Sequence, residues 1–228
     1  MILLYLPARK VRIMSNTLKS TKLDFSLVKP YIKVICFTMI LPIVFSIINR
    51  SLLTGVSFAM CFIAMTTGYT FSITEKNNME RLYGILPIKK SELVIGRYLY
   101  VFAMGMLALI VSIIVQPLIL RAIGETVKTY DIISAAVGGL FLFALYTVFQ
   151  IPGYYKFGSI KGRIFMYIPV AGFLATLFLF SKIPADNSII ATITSSPVLL
   201  IIIAIVLVVI MYAISILLSI RIMIRKEI

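Results

Sequence analysis

Six apolar blocks, none with a charged residue in its interior, fill this chain from Lys33 to Ile220, separated by short basic and polar gaps. The hydrocarbon core of a bilayer is about 30 Å thick, so roughly 20 mostly apolar residues cross it as a helix. Read this way, the blocks predict spans at 34–49, 52–74, 98–120, 131–152, 164–181 and 197–220. The runs are continuous rather than alternating, which favours helices over strands. Only helices and closed barrels satisfy their backbone polar groups in lipid. The expected fold is all-α: a polytopic membrane protein with six transmembrane helices.

Composition agrees. The chain is 61% hydrophobic with a mean hydropathy of +1.08, against about 45–50% apolar residues in an ordinary soluble domain. One core of 228 residues cannot hide that excess, so lipid must cover it.

Lysine and arginine set the topology. Eighteen of the 22 fall in the N-terminal segment, the gap after span two, the gap after span four and the C-terminal tail; Arg50, Arg121, Lys128 and Lys182 fall on the other side. The positive-inside rule places the eighteen, and with them both termini, in the cytoplasm. The organisation expected is a cytoplasmic segment at 1–33, a membrane domain at 34–220 with cytoplasmic loops at 75–97 and 153–163, and a tail at 221–228. The net charge of +14 is then a topology signal and a contact for anionic lipid. It is spread over four segments beside spans and predicts no nucleic-acid partner. The opening run MILLYLPARK places its charge after its apolar part, the wrong order for a cleavable leader.

Several chemistries are excluded. Histidine is absent, and Cys36 and Cys61 both fall inside spans, where they are read as small buried hydrophobes; no metal site and no disulfide are expected. An intramembrane protease, a lipid-modifying enzyme or a proton-driven carrier needs ionisable groups within the spans, and none is placed there. No catalytic residue is assigned. The phosphate-loop spacing G-x-x-x-x-G-K-[ST] occurs nowhere, and GSIKGR at 158–163 does not supply it.

Three segments outside lipid carry pattern. In MSNTLKSTKLDFSLVK, Met14, Leu18, Thr21, Phe25 and Val28 share one helical face and Lys19, Lys22 and Lys29 lie off it, which predicts an N-terminal amphipathic helix in the membrane interface. The loop EKNNMERLYGILPIKKSELVIGR predicts a short helix, a break at Gly84 and Pro87, then a helix capped by Ser91 with Glu92 in its first turn. The loop GYYKFGSIKGR, with three glycines, reads as a compact basic turn. Within the spans, Gln116 and Gln150 are the polar residues best suited to face a pathway. Pro42 and Pro117 should kink spans one and three, and the pairs Ser134/Gly138 and Ala135/Gly139 should let span four approach its neighbours closely.

Three of these features resemble the type-2 ATP-binding-cassette (ABC) exporter permeases, in the compact six-helix branch common in Gram-positive bacteria. They are Glu75 followed by LPIKKSELVIGRY at 86–98, the run PGYYKFGSIKGR at 152–163, and the basic amphipathic N-terminal helix. The resemblance covers nearly the whole chain. It implies a cytoplasmic ABC ATPase partner that binds ATP and Mg, with no cofactor in this chain itself. It also implies a homodimer, or a heterodimer with a second permease, and export of hydrophobic or amphipathic cargo. Surface-active peptides such as phenol-soluble modulins or antimicrobial peptides are the implied class. By resemblance, a coupling helix within Glu75–Leu86 seats in the ATPase, with Glu75, Lys76, Glu80 and Arg81 as polar contacts and Met79, Leu82 and Tyr83 as its apolar anchor. Tyr155, Lys156, Phe157, Lys161 and Arg163 would form a second cytoplasmic contact. The alternative is a non-transporting bacteriocin-immunity or sensor subunit, which shares the six helices.

Overall fold

A computed structural model describes residues 6–79, 83, 88–172 and 197–226. Helices are its only regular structure among those residues: α1 (Leu6–Val28), α2 (Ile32–Thr38), α3 (Ile40–Asn49), α4 (Leu52–Lys76), α5 (Lys90–Ala122), α6 (Thr129–Lys161) and α7 (Pro197–Arg225). Short 3-10 turns at Lys29–Tyr31 and Gly162–Met166 complete the set. Five stretches, 16–49, 52–76, 90–122, 129–172 and 205–225, are long and apolar enough to cross a membrane. Residues 173–181, half of the expected span at 164–181, lie outside the described residues.

Each boundary has a local cause. The first apolar block is broken at Met39, three residues before Pro42. Pro42 has no N–H to offer the Thr38 carbonyl one turn back. The Thr38 hydroxyl donates instead to the Val34 carbonyl at 2.7 Å, a bond that bends helices. Pro117 lies inside α5 and does not interrupt it. Between α3 and α4, Arg50 takes the left-handed conformation (φ 48°), and Ser51 caps α4 by accepting the Thr54 N–H at 3.4 Å.

α4 is the axis of the bundle. It buries Val56, Met60, Ile63, Ala64 and Phe71 among others and packs mainly on α6, then on α5 and α3. Of the two small-residue pairs expected in span four, Ala135 and Gly139 are buried. A methyl group on Gly139 would lie 3.0 Å from both Val56 and Met60, so the two helices touch almost backbone to side chain there. α7 packs on α6 and α5. The outward surface is apolar: Phe37, Leu118, Val209 and Leu217 are each more than 60% exposed, as a lipid-facing surface requires.

Five expectations need correction. The third helix starts at Lys90, capped at Lys89, so Ser91 sits inside it; the Glu92 carboxylate reaches back to the Lys89 N–H at 3.3 Å and sets the start there. The fourth continues past Gly153 and is broken only at Gly158 (φ 78°, ψ −179°), after which the chain doubles back with Phe165 against Gly153. Besides Thr21, Phe25 and Val28 of its expected face, α1 also turns the polar Ser20 and Asp24 inward, while Leu18 is 56% exposed. Cys36 faces outward. Most consequentially, Arg97 is not a solvated loop cation but a buried residue of α5.

Candidate functional site

The basic segments converge at one end of the bundle. The ends of α4, α6 and α7 and the start of α5 line a common cavity of about 100 Å³ there, with Thr74, Glu75, Arg97, Tyr155, Ser159 and Lys226 among its walls. α1 lies beside it, along the first turns of α5. Arg50, Glu125 and Asp131 line a separate cavity of about 310 Å³ at the other end of these helices, where Arg50 and Glu125 pair at 3.2 Å on an exposed surface.

Arg97 is the hub of the basic end. Its Nη2 donates to Asp24 Oδ1 at 3.0 Å and its Nε to Asp24 Oδ2 at 3.3 Å, the paired fork that suits guanidinium to carboxylate. Nη2 also donates to the Thr74 hydroxyl at 3.1 Å, and that hydroxyl donates to the Thr70 carbonyl at 2.7 Å. The guanidinium lies 4.6 Å from the centre of the Phe71 ring and 6.0 Å from that of Tyr155, where the ring faces attract a cation. The two charged side chains are 6% and 2% exposed. A buried pair of this kind holds because fork geometry and extra hydrogen bonds offset the cost of leaving water.

The same contact seats α1. Thr21 donates to the Gly96 carbonyl at 3.0 Å, Asn16 donates to Glu92 at 3.2 Å, and Phe25 meets Tyr100 edge-on with centroids 4.8 Å apart. Gly96 makes the approach possible: a Cβ there would lie 2.7 Å from Ser20. Lys19, Lys22 and Lys29 point away, exposed.

Next to Thr74, the Glu75 carboxylate crosses to α6. Its Oε2 accepts the Ser159 N–H at 2.8 Å. That donor is available because Gly158, at φ 78°, leaves the helical path. Lys90 Nζ donates to the Lys226 carbonyl at 2.8 Å and ties the end of α7 to the start of α5. Burial pushes the Tyr83 phenol above its ordinary value.

The coupling residues therefore fall in different places. Lys76 is exposed, Met79 is half-buried against the core, and Tyr83 is buried in it. Glu80, Arg81 and Leu82 lie outside the described residues. In the second loop Lys156, Phe157, Lys161 and Arg163 are exposed, whereas Tyr155 faces inward over Arg97. Gln116 and Gln150 are fully buried. Gln150 Oε1 accepts the Thr67 hydroxyl at 3.3 Å, while Gln150 Nε2 and Gln116 Oε1 have no partner among the described residues. No group of three His, Cys, Asp or Glu side chains among the described residues could hold a metal ion.

Asp24 and Arg97 escaped the sequence reading. A signal existed: Asp24 is the first acidic residue in the chain, and the next is Glu75. A lone carboxylate in so basic a segment calls for a cation.

A family model described as ABC-2 family transporter protein matches residues 21–224. No curated protein and no solved structure matches the chain.

Proposed function

Since the chain belongs to the ABC-2 family of transporter proteins, and is thus a multi-pass membrane protein and permease subunit, we propose that it is an exporter permease driven by a separate ABC ATPase. The observation that carries this reading is the interlocked basic end. α1, α6 and α7 are tied there to the ends of α4 and α5 that flank the 75–97 loop, so a push on that loop reaches α1, α4, α5 and α6 together. A partner closing on nucleotide needs such a handle. The chain has no phosphate loop of its own, so ATP and Mg are assigned to the partner.

The cytoplasmic side is assigned to the basic end by the charge bias. Six spans are part of this proposal, supported by chain direction: α6 and α7 both finish at the basic end. The coupling helix is assigned to a place within Glu75–Leu86, following the end of α4, with Lys76 and Met79 nearest the partner. ATP binding would draw two such permeases, identical or sister subunits, from an inward-facing to an outward-facing arrangement. The apolar outer surface and mildly polar spans suit a hydrophobic or amphipathic cargo, with surface-active peptides as the class proposed.

The test is affinity capture of the tagged chain from its native membrane in mild detergent. An ABC ATPase should co-purify, and its turnover should rise when an amphipathic peptide is added. Retention of peptide with no change in turnover would favour the immunity reading. Absence of any ATPase would overturn the proposal.

A further inference from the structure

We infer that Glu75 is a positioning residue that clamps the turn beyond Gly158 to the end of α4, so that a partner meets both as one face. This rests on the permease reading above, but the clamp itself stands on geometry.

Glu75 sits at the end of α4, where an exposed carboxylate would ordinarily turn to water. Instead it accepts the Ser159 N–H at 2.8 Å, from a residue 84 positions further on. Two independent features of α6 serve that bond. Gly158 leaves the helical path at φ 78°, which frees the Ser159 N–H from the ladder bond to the Tyr155 carbonyl. The missing side chain also makes room, since a Cβ on Gly158 would lie 3.1 Å from Glu75 Oε1. Backbone at φ 78°, ψ −179° is a region that essentially only glycine occupies, so glycine is the residue that meets both demands. A backbone N–H bonded to a carboxylate is a charge-assisted bond.

The clamp fixes what projects beyond it. Phe157, Ile160 and Ile164 are 42%, 77% and 67% exposed, and Lys156, Lys161 and Arg163 flank them. Lys76 follows Glu75 directly. Together they form an apolar patch edged with cations, which fits an ATPase surface carrying a hollow bordered by carboxylates. Glu75 then contributes to docking through Ser159 rather than by touching the partner.

The experiment uses the full chain in lipid nanodiscs, with Cys36 and Cys61 replaced by alanine and spin labels on Lys76→Cys and Lys161→Cys. Pulsed dipolar spectroscopy should give one narrow distance distribution. Glu75→Ala and Gly158→Ala should each widen it at least twofold, while Glu75→Gln, which keeps an acceptor oxygen, should stay near the parent width. Equal widths in the parent and Glu75→Ala would overturn the clamp.

A second arm measures capture of the co-expressed ATPase from unlabelled membranes, with thermal melting as a control for folding. Glu75→Ala should lower capture about tenfold at an unchanged melting temperature, and Glu75→Gln should restore most of it. Loss of capture in Glu75→Gln equal to that in Glu75→Ala, with the distances preserved, would make Glu75 a direct charge contact and overturn the positioning role. Lys161→Glu with Arg163→Glu should also lower capture. If that pair captures normally but loses its preference for phosphatidylglycerol vesicles, the patch is a lipid contact and the docking face is overturned. If even the parent chain captures no ATPase, the permease reading fails while the distance arm still decides the clamp.

Discussion

Neutralising Asp24 removes the negative charge paired with the buried Arg97 guanidinium, which still donates to the Thr74 hydroxyl and lies beside Phe71 and Tyr155. Breaking one partner of a buried pair costs about 3–5 kcal/mol, whereas replacing both by apolar residues of similar size is often near neutral. Asp24→Asn should therefore lower the melting temperature in detergent well below that of the parent chain, and Asp24→Leu combined with Arg97→Met should recover most of the loss. A double mutant no more stable than the single would mean the two residues do not act as a pair. Arg97 was legible in the sequence only as a cation near a helix start. Its burial depends on a helix 73 residues earlier, and no local pattern reports that. Gly158 is a similar case: the sequence shows a glycine in a basic turn, but the need for it arises from a carboxylate on another helix.

Elements were easier to find than to delimit. Hydropathy located α4 within two residues, because Ser51 caps its start and Lys76 closes its last turn. The end of α6 lies nine residues beyond the expected 152, and the membrane span expected from 98 is the continuation of a helix that already starts at Lys90, for a shared reason. Polar stretches such as 90–97 and 153–161 look solvated when read alone, yet α1 covers the first and the returning chain around Phe165 covers part of the second. α7 shows how an almost uniformly apolar helix gains a rotational setting. The Tyr98 hydroxyl meets those of Ser215 and Ser219 at 2.6 and 2.9 Å, Ser215 donates to the Val148 carbonyl at 2.8 Å, and Thr147 pairs with Tyr212 at 2.7 Å. Hydrogen bonds between membrane helices average about 0.6 kcal/mol, so Tyr98→Phe should cost about 1 kcal/mol. Hydrogen–deuterium exchange should rise in α7 and stay unchanged in α4. A uniform rise across both helices would show that the hydroxyl ladder supports the whole bundle rather than setting α7.

For the molecule as a whole, the charge bias carried the arrangement further than any motif. The basic segments, far apart in the chain, do meet at one end, and Arg50 and Glu125 mark the other. Single cysteines placed at Lys22, Lys76 and Lys161 should be protected from a membrane-impermeant maleimide in intact cells, and cysteines at Arg50 and Lys128 should react. Labelling of either set in the reverse sense would invert the topology. What the charge count could not foresee is that one of its members, Arg97, is spent internally.

That pairing also imposes an order on biogenesis. Asp24 leaves the ribosome 73 residues ahead of Arg97, so two apolar segments must pass the insertion machinery while α1 still lacks its seat. A nascent chain arrested before Arg97 should hold its N-terminal helix at the surface with the carboxylate hydrated. Release of the first turns of α5 should then draw that helix down, so closure of the basic end should wait on α5 rather than on the first apolar segment.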